Sequence, residues 1–241
     1  MRKLLLTLFI CSSVTAFSQS WWNSKKVRGN GDVTTEKRTV GSFDEVSLGG
    51  FFDVILVNGN EGKITLEGEE NILPYIITEV KGGTLRIKTK KNTNLKTTRK
   101  LTVTVPFEQI EGVSLGGSGN IIAKKTIKGN NVSFSIGGSG NIKAAVEAQT
   151  VKSSIGGSGS IRLEGDADNL KCSIAGSGNI KAYELTTNSL KVSVAGSGDV
   201  QATVKDRIKA SIAGSGSVYY KGDPQHIDTK SVGSGDVVKR D

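Results

Sequence analysis

From about residue 113 onward, branched apolar residues alternate with polar ones over short runs, and the runs recur. Val132-Ser133-Phe134-Ser135-Ile136, Leu170-Lys171-Cys172-Ser173-Ile174 and Leu190-Lys191-Val192-Ser193-Val194 share one pattern. A period of two predicts strands that turn one face inward. Each run leads into Gly-Ser-Gly, then Asn, Asp or Ser, then a second alternating run such as Asn141-Ile142-Lys143-Ala144, Asn179-Ile180-Lys181-Ala182 or Asp199-Val200-Gln201-Ala202. The triplets carry glycines at Gly117 and Gly119, Gly138 and Gly140, Gly157 and Gly159, Gly176 and Gly178, Gly196 and Gly198, Gly214 and Gly216, and Gly233 and Gly235. Their starts are 21, 19, 19, 20, 18 and 19 residues apart.

A period near 19 is too short for a helix-pair repeat or a four-stranded propeller blade, and helical periodicity is missing from this region. It fits one coil of a parallel β-solenoid, with each strand pairing to its equivalent one coil later. The predicted fold is all-β: a single-domain parallel β-helix of about seven regular coils, 18–21 residues each, with an irregular N-terminal cap. At a rise of about 4.8 Å per strand, seven coils stack to roughly 30 Å. The glycines fall at a corner, where positive φ is needed and stacked coils leave no room for a Cβ. The columns Val132, Val151, Leu170, Leu190, Ile208 and Ile136, Ile155, Ile174, Val194, Ile212, Val232 are predicted to point inward. Cys172 falls between them with Phe134, Ser153, Val192 and Ala210, as a small core residue.

The chain ahead of the repeats is less regular. Residues 1–18, basic at Arg2 and Lys3 and apolar from Leu4 to Phe17, read as a signal peptide cut after Ser18 or Ala16. The residues before Cys11 lack the small side chain that lipoprotein processing needs. Residues 19–38 form a leader whose Trp21-Trp22 is either loose or packed on the cap, and 39–241 is the β-helix domain. Within it, 39–112 is the cap and irregular first coil and 113–238 holds the repeat coils. A short helix is expected around Glu69 to Tyr75. Ser47-Leu48-Gly49-Gly50-Phe51-Phe52-Asp53-Val54 has the spacing of Ser114-Leu115-Gly116-Gly117-Ser118-Gly119-Asn120-Ile121, and reads as a degenerate repeat at the end of the stack.

Composition narrows the function classes. Glycine supplies 31 of 241 residues, and the triplets with Gly116, Gly137 and Gly156 hold 17 of them, so the excess concerns backbone geometry. Aromatic residues are only 5%, too few for a nucleic-acid stacking surface. No segment after the signal is long and apolar enough to span a bilayer as a helix. The formal charge of +9 becomes +7 without Arg2 and Lys3.

Part of that charge is organised in columns. Lys152, Lys171, Lys191 and Lys209 hold one repeat position, and Lys143, Arg162 and Lys181 hold another after the corner. Stacked like charges repel. Two readings stand: an anion-attracting stripe for acidic glycans, lipopolysaccharide phosphates or another surface polymer, or a solvated face that keeps the solenoid soluble. The adjacent column Ser135, Ser154, Ser173, Ser193, Ser211 and Ser231 suits sugar hydroxyls or a structural hydroxyl ladder equally.

Catalytic and metal chemistry find little support. The positions after the triplets are Asn120, Asn141, Ser160, Asn179, Asp199, Ser217 and Asp236, short of the carboxylates that a calcium coil needs. A polar ladder bonding the corner backbone is the expected alternative. His226, the single histidine, sits in a turn-like segment with no serine–acid partner in its pattern. No cofactor, metal or catalytic residue is assigned.

The layout of Phe43-Asp44-Glu45-Val46, Gly49-Gly50-Phe51-Phe52-Asp53-Val54, Glu69-Glu70-Asn71-Ile72-Leu73-Pro74 and Gly83-Thr84-Leu85-Arg86-Ile87-Lys88, followed by repeated Gly-Ser-Gly-Asn/Asp-Ile/Val, resembles a known family. It is the putative auto-transporter adhesin head domain, or GIN domain, of exported Bacteroidetes-type proteins. The resemblance spans roughly Phe43 to Val238 and implies a right-handed parallel β-helix of unknown biochemical role. No membrane-inserting β-domain is recognised after Val238. The expected function is an exported, non-enzymatic binding or adhesin-like module, placed in the periplasm, on the outer surface or in the medium. The alternatives are a structural protein that forms homo-oligomers through its solenoid ends and, third, a polysaccharide-active enzyme.

Overall fold

The computed structural model describes residues 24–241. The signal-peptide reading of 1–18, Cys11 and Trp21-Trp22 all fall outside those residues. Nineteen strands form, and no α-helix appears among the described residues. In the first part of the chain they are β1 (Lys25–Arg28), β2 (Val33–Thr39), β3 (Glu45–Gly50), β4 (Asp53–Asn58), β5 (Lys63–Glu69), β6 (Ile76–Lys81), β7 (Thr84–Thr89), β8 (Thr93–Lys96) and β9 (Thr102–Phe107). The repeats supply β10 (Gly112–Gly117), β11 (Asn120–Ala123), β12 (Ile127–Gly138), β13 (Asn141–Gly157), β14 (Ser160–Gly176), β15 (Asn179–Gly196), β16 (Val200–Gly214), β17 (Val218–Lys221), β18 (His226–Gly233) and β19 (Val237–Lys239).

Parallel pairing at the repeat interval builds the solenoid. Before the corner, Val132, Val151, Leu170, Leu190 and Ile208 stand opposite one another in successive coils. After it, Ile121, Ile142, Ile161, Ile180, Val200, Val218 and Val237 do the same. These side chains and those of the cap form one continuous core. Through β16 each coil buries the face that the period of two marked as apolar, and the hydrophobic burial repeats from layer to layer.

The N-terminal end departs from the expected layout. The Ser47–Val54 segment is not the end of the stack, because β3 is flanked by β10 on one side and β7 on the other, and β4 by β11 and β9. The chain forms this layer, runs outward to lay β7 and β9 over its open edge, and then crosses to β10 on the far side. The antiparallel strands β5, β6 and β2 close the end further. Part of the segment read as a leader therefore belongs to the sheet: Val33–Thr39 pairs with β5, and Lys25–Arg28 pairs with β8. The expected helix shrinks to a single 3-10 turn at Leu73–Tyr75, with Pro74 opening it and Glu69 ending β5.

The last coil corrects the register as well. Ser231, not Val232, stands opposite Ile212, and Val232 stands opposite Ala213 with 77% of its surface exposed. Counting back from the triplet gives the reason: Gly233 aligns with Gly214, so every residue before it shifts by one from the sequence assignment, and a shift of one exchanges the faces. Lys230 accordingly ends the serine column.

Cys172 is buried beside Ser153 and Val192, and burial pushes its thiol up to about 12. The Ser153 hydroxyl is fully buried with no hydrogen-bond partner. Ala210 fills the same column two coils beyond Cys172. Ser153→Ala is expected to stabilise the fold by about 1 kcal/mol, because it removes an unsatisfied polar group. Thermal unfolding followed by circular dichroism checks this, and a rise of about 2–4 °C is the expected result.

A candidate anion-binding face on the solenoid

The corner fixes the geometry of the faces on either side of it. At Gly176, φ is +132° and a Cβ would lie 2.4 Å from the Gly157 carbonyl oxygen of the preceding coil. That oxygen accepts hydrogen bonds from the N–H groups of Ser177 (2.9 Å) and Gly178 (3.0 Å). The same two-donor contact joins Gly138 to Ser158 and Gly159, and Gly176 to Ser197 and Gly198. Every coil is thereby held in register with its neighbour at one edge of the face.

The polar ladder beside the corner bonds side chain to side chain in the first coils and accepts from the corner backbone in the later ones. Asn141 Nδ2 donates to Asn120 Oδ1 (2.9 Å), and Asn120 Nδ2 donates to Asp53 Oδ1 (2.7 Å). Further along, the Asp199 N–H donates to Asn179 Oδ1 (3.2 Å), and the Ser217 N–H donates to Asp199 Oδ1 (2.7 Å). Burial raises the Asp53 carboxyl, but hydrogen bonds from Asn120 and Lys100 outweigh it and hold the group below its ordinary range. Among the described residues, no three His, Cys, Asp or Glu side chains gather where they could hold a metal ion.

The sheet before the corner, in β13 to β16, presents a regular outer surface. Lys152, Lys171, Lys191 and Lys209 are in direct register, about 4.8 Å apart along the stack, and all are exposed. On one side runs the exposed column Ser154, Ser173, Ser193 and Ser211. Beyond it lie Gly156, Ala175, Ala195 and Ala213, so the strip nearest the corner carries no bulky side chain. On the other side Thr150, Asn169, Ser189 and Arg207 complete the row. Each coil therefore shows a polar residue, a lysine, a serine and a small residue, in that order.

The charges on this face are mostly uncompensated. Lys152, Lys171 and Lys191 have no carboxylate within ion-pair distance among the described residues. The column ends at Asp228, which pairs with Lys209 at 3.3 Å, an acidic terminus that sequence reasoning missed although counting 19 residues from Lys209 reaches it. Acidic groups of the same coils lie on a different stretch: Glu147 stands opposite Asp166 and pairs with Lys128 at 2.6 Å. Such acid neighbours also occur at Glu164 and Glu184. Lys143, Arg162 and Lys181 form the second basic column, in register and exposed on the sheet after the corner.

His226 lies at the open rim of the last coil, opposite Arg207, beside a depression of about 570 Å³ that Lys209, Ile227 and Asp228 also line. Sequence reasoning also missed Glu69, which is 1% exposed at the end of β5. It accepts hydrogen bonds from the N–H groups of Gly31 (2.8 Å), Thr98 (2.8 Å) and Arg99 (3.3 Å) and from Thr98 Oγ1 (2.5 Å). Burial pushes its carboxyl upward, yet these donors together bring it down to about 2. It is a structural tie in the cap, remote in the sequence from the lysine column.

Three comparisons place the chain among known proteins. The family model described as "Putative auto-transporter adhesin, head GIN domain" matches residues 42–224. A search of curated proteins finds no match. Among solved structures, a putative adhesin from Bacteroides fragilis superposes with a TM-score of 0.84 at 24% identity, over 89% of this chain and 100% of that one. A putative lipid binding protein from Parabacteroides distasonis gives 0.76 at 27% identity, over 90% and 100%. A putative adhesin from the same organism gives 0.71 at 25% identity, over 90% and 100%. None of these three is named as an enzyme. Among the described residues, no helix is long and apolar enough to cross a membrane.

Proposed function

This chain belongs to the putative auto-transporter adhesin head GIN domain family, and on that premise we propose that it is an exported, non-enzymatic, adhesin-like module that holds an anionic polymer of the envelope or extracellular space. The adhesin names of its structural relatives support the general role and an envelope or extracellular location. The observation that carries the ligand class is the in-register column Lys152, Lys171, Lys191 and Lys209, three members of which have no carboxylate partner among the described residues. Stacking these ammonium groups costs energy and contributes nothing to the core, and a polyanion laid along the stack offsets the repulsion. The flanking serines and the small-residue strip leave space for a chain to lie flat and accept or donate hydrogen bonds. The non-enzymatic reading is supported by the family description and by the names of the relatives, none of them an enzyme's.

A glycan array at physiological salt tests the reading with the parent chain and a variant in which Lys152, Lys171, Lys191 and Lys209 are all serine. The parent is expected to bind glycans bearing uronate or phosphate, and the variant to bind them about 10-fold or more weakly, as the loss of several exposed charge contacts implies. Equal binding by the two proteins, or a preference for neutral glycans, overturns it. Anionic lipid vesicles form a second arm, because phosphate headgroups present the same charge in a different setting.

A further inference from the structure

The two ends of the solenoid differ. At the N-terminal end, β7 and β9 cover the outermost repeat layer and antiparallel strands close the cap. At the other end, β18 pairs with β16 alone, and all eight of its residues are exposed, including Ile227 at 48% in the column below which Ile208 is fully buried. A free parallel strand turns the N–H and C=O of alternate residues outward. The phase follows from the column shared by Ser133 and Asp228: the Ser133 N–H donates back to the preceding layer, to Glu111 oxygen at 2.8 Å. The residues between, Ile227, Thr229 and Ser231, therefore offer their backbone groups to the free edge.

We propose that this edge is the interface of a two-fold homodimer, in which β18 pairs antiparallel with β18 of a second copy about an axis through Thr229. Antiparallel pairing centred there sets Thr229 against itself and Ile227 against Ser231, the residues whose backbone groups are available. On the outer face it sets Asp228 against Lys230 of the other copy, twice by symmetry. The strand is thus complementary in charge to its own reverse. This arrangement also accounts for the sign change that ends the lysine column, where Asp228 follows Lys209. Cross-strand pairs of opposite charge stabilise such a ladder, and like charges in the same place oppose it. A two-fold contact uses the same edge on both copies, so it closes as a dimer and does not propagate into a fibre.

Sedimentation equilibrium of the purified chain up to about 100 µM, where a small interface of this kind becomes populated, tests the proposal. The parent is expected to approach twice its 25.4 kDa mass. Asp228→Lys alone and Lys230→Asp alone place like charges opposite each other in a homodimer and are expected to remain monomers. Mixed in equal amounts, they restore both opposite-charge pairs and are expected to form a heterodimer. Thr229→Pro removes an edge-facing N–H while sparing the bonds to β16, and is expected to be a folded monomer by circular dichroism. A monomeric parent across this range, self-association of either single charge variant equal to the parent's, or failure of the mixture to associate overturns the proposal.

Discussion

Gly176→Ala is expected to destabilise the solenoid by about 4 kcal/mol or more, combining unfavourable φ with a backbone clash. The new Cβ would meet the Gly157 carbonyl oxygen at 2.4 Å, in a residue whose φ is +132°. Relief requires the two coils to separate, which disturbs the hydrogen bonds that Ser177 and Gly178 make to that oxygen. The control lies next door. Gly156 is exposed, a Cβ there would come no nearer than 3.9 Å to Ile136 oxygen, and Ala175 and Ala195 already occupy its column in the following coils. Gly156→Ala is therefore expected to change stability by less than about 0.5 kcal/mol. Thermal unfolding checks both: a fall of about 8–16 °C for Gly176→Ala against almost none for Gly156→Ala. Equal effects at the two sites would contradict the assignment of the corner.

Glu69→Ala carries the second large effect, about 3–4 kcal/mol, because it strands donors that now share one buried carboxylate. Gly31, Thr98 and Arg99 lose their acceptor, and the link joining the β1–β2 connection to the segment before β9 is lost. Glu69→Gln keeps the shape but turns an NH2 group toward donors, so it is expected to cost about 2 kcal/mol. The pH dependence separates charge from packing. The carboxyl titrates at about 2 when folded and near its ordinary 4.5 when unfolded, so the unfolded chain takes up its proton first as pH falls. The contribution of Glu69 is therefore complete above pH 4.5 and is lost progressively toward pH 2. Melting temperatures of parent and Glu69→Gln, measured from neutral pH downward, are expected to converge below pH 4.5; a constant gap would contradict the charged tie.

These two residues also show why the sequence revealed some features and concealed others. The Gly176 column was legible because an 18–21 residue repeat puts equivalent residues against each other, so a demand imposed by stacking is written seven times. The contrast between Gly157 and Gly156 was legible for the same reason, since only the second column admits alanine. Glu69 occurs once. Its donors lie 38, 29 and 30 residues away in non-repeating segments, and only the outward run of the chain through β5 to β9 brings them together. The same excursion concealed the position of β3 inside the stack, because chain order and spatial order part company there. At the other end, Val232 was misplaced by one residue, and in a strand one residue is enough to exchange inside for outside.

The lysine column lies on the legible side of that division: the repeat gives its register, and the structure adds the small-residue strip, the scarcity of carboxylates and the acidic terminus. What it holds is open to direct measurement. Titration of polygalacturonate into the parent and into proteins carrying one, two, three and four Lys→Ser changes at Lys171, Lys191, Lys152 and Lys209 tests the central claim most directly. A column acting as one surface predicts a stepwise loss of affinity with each lysine removed, steeper at low salt, where exposed charges are least screened. Affinity independent of the number of lysines, or matched by neutral dextran, would contradict it.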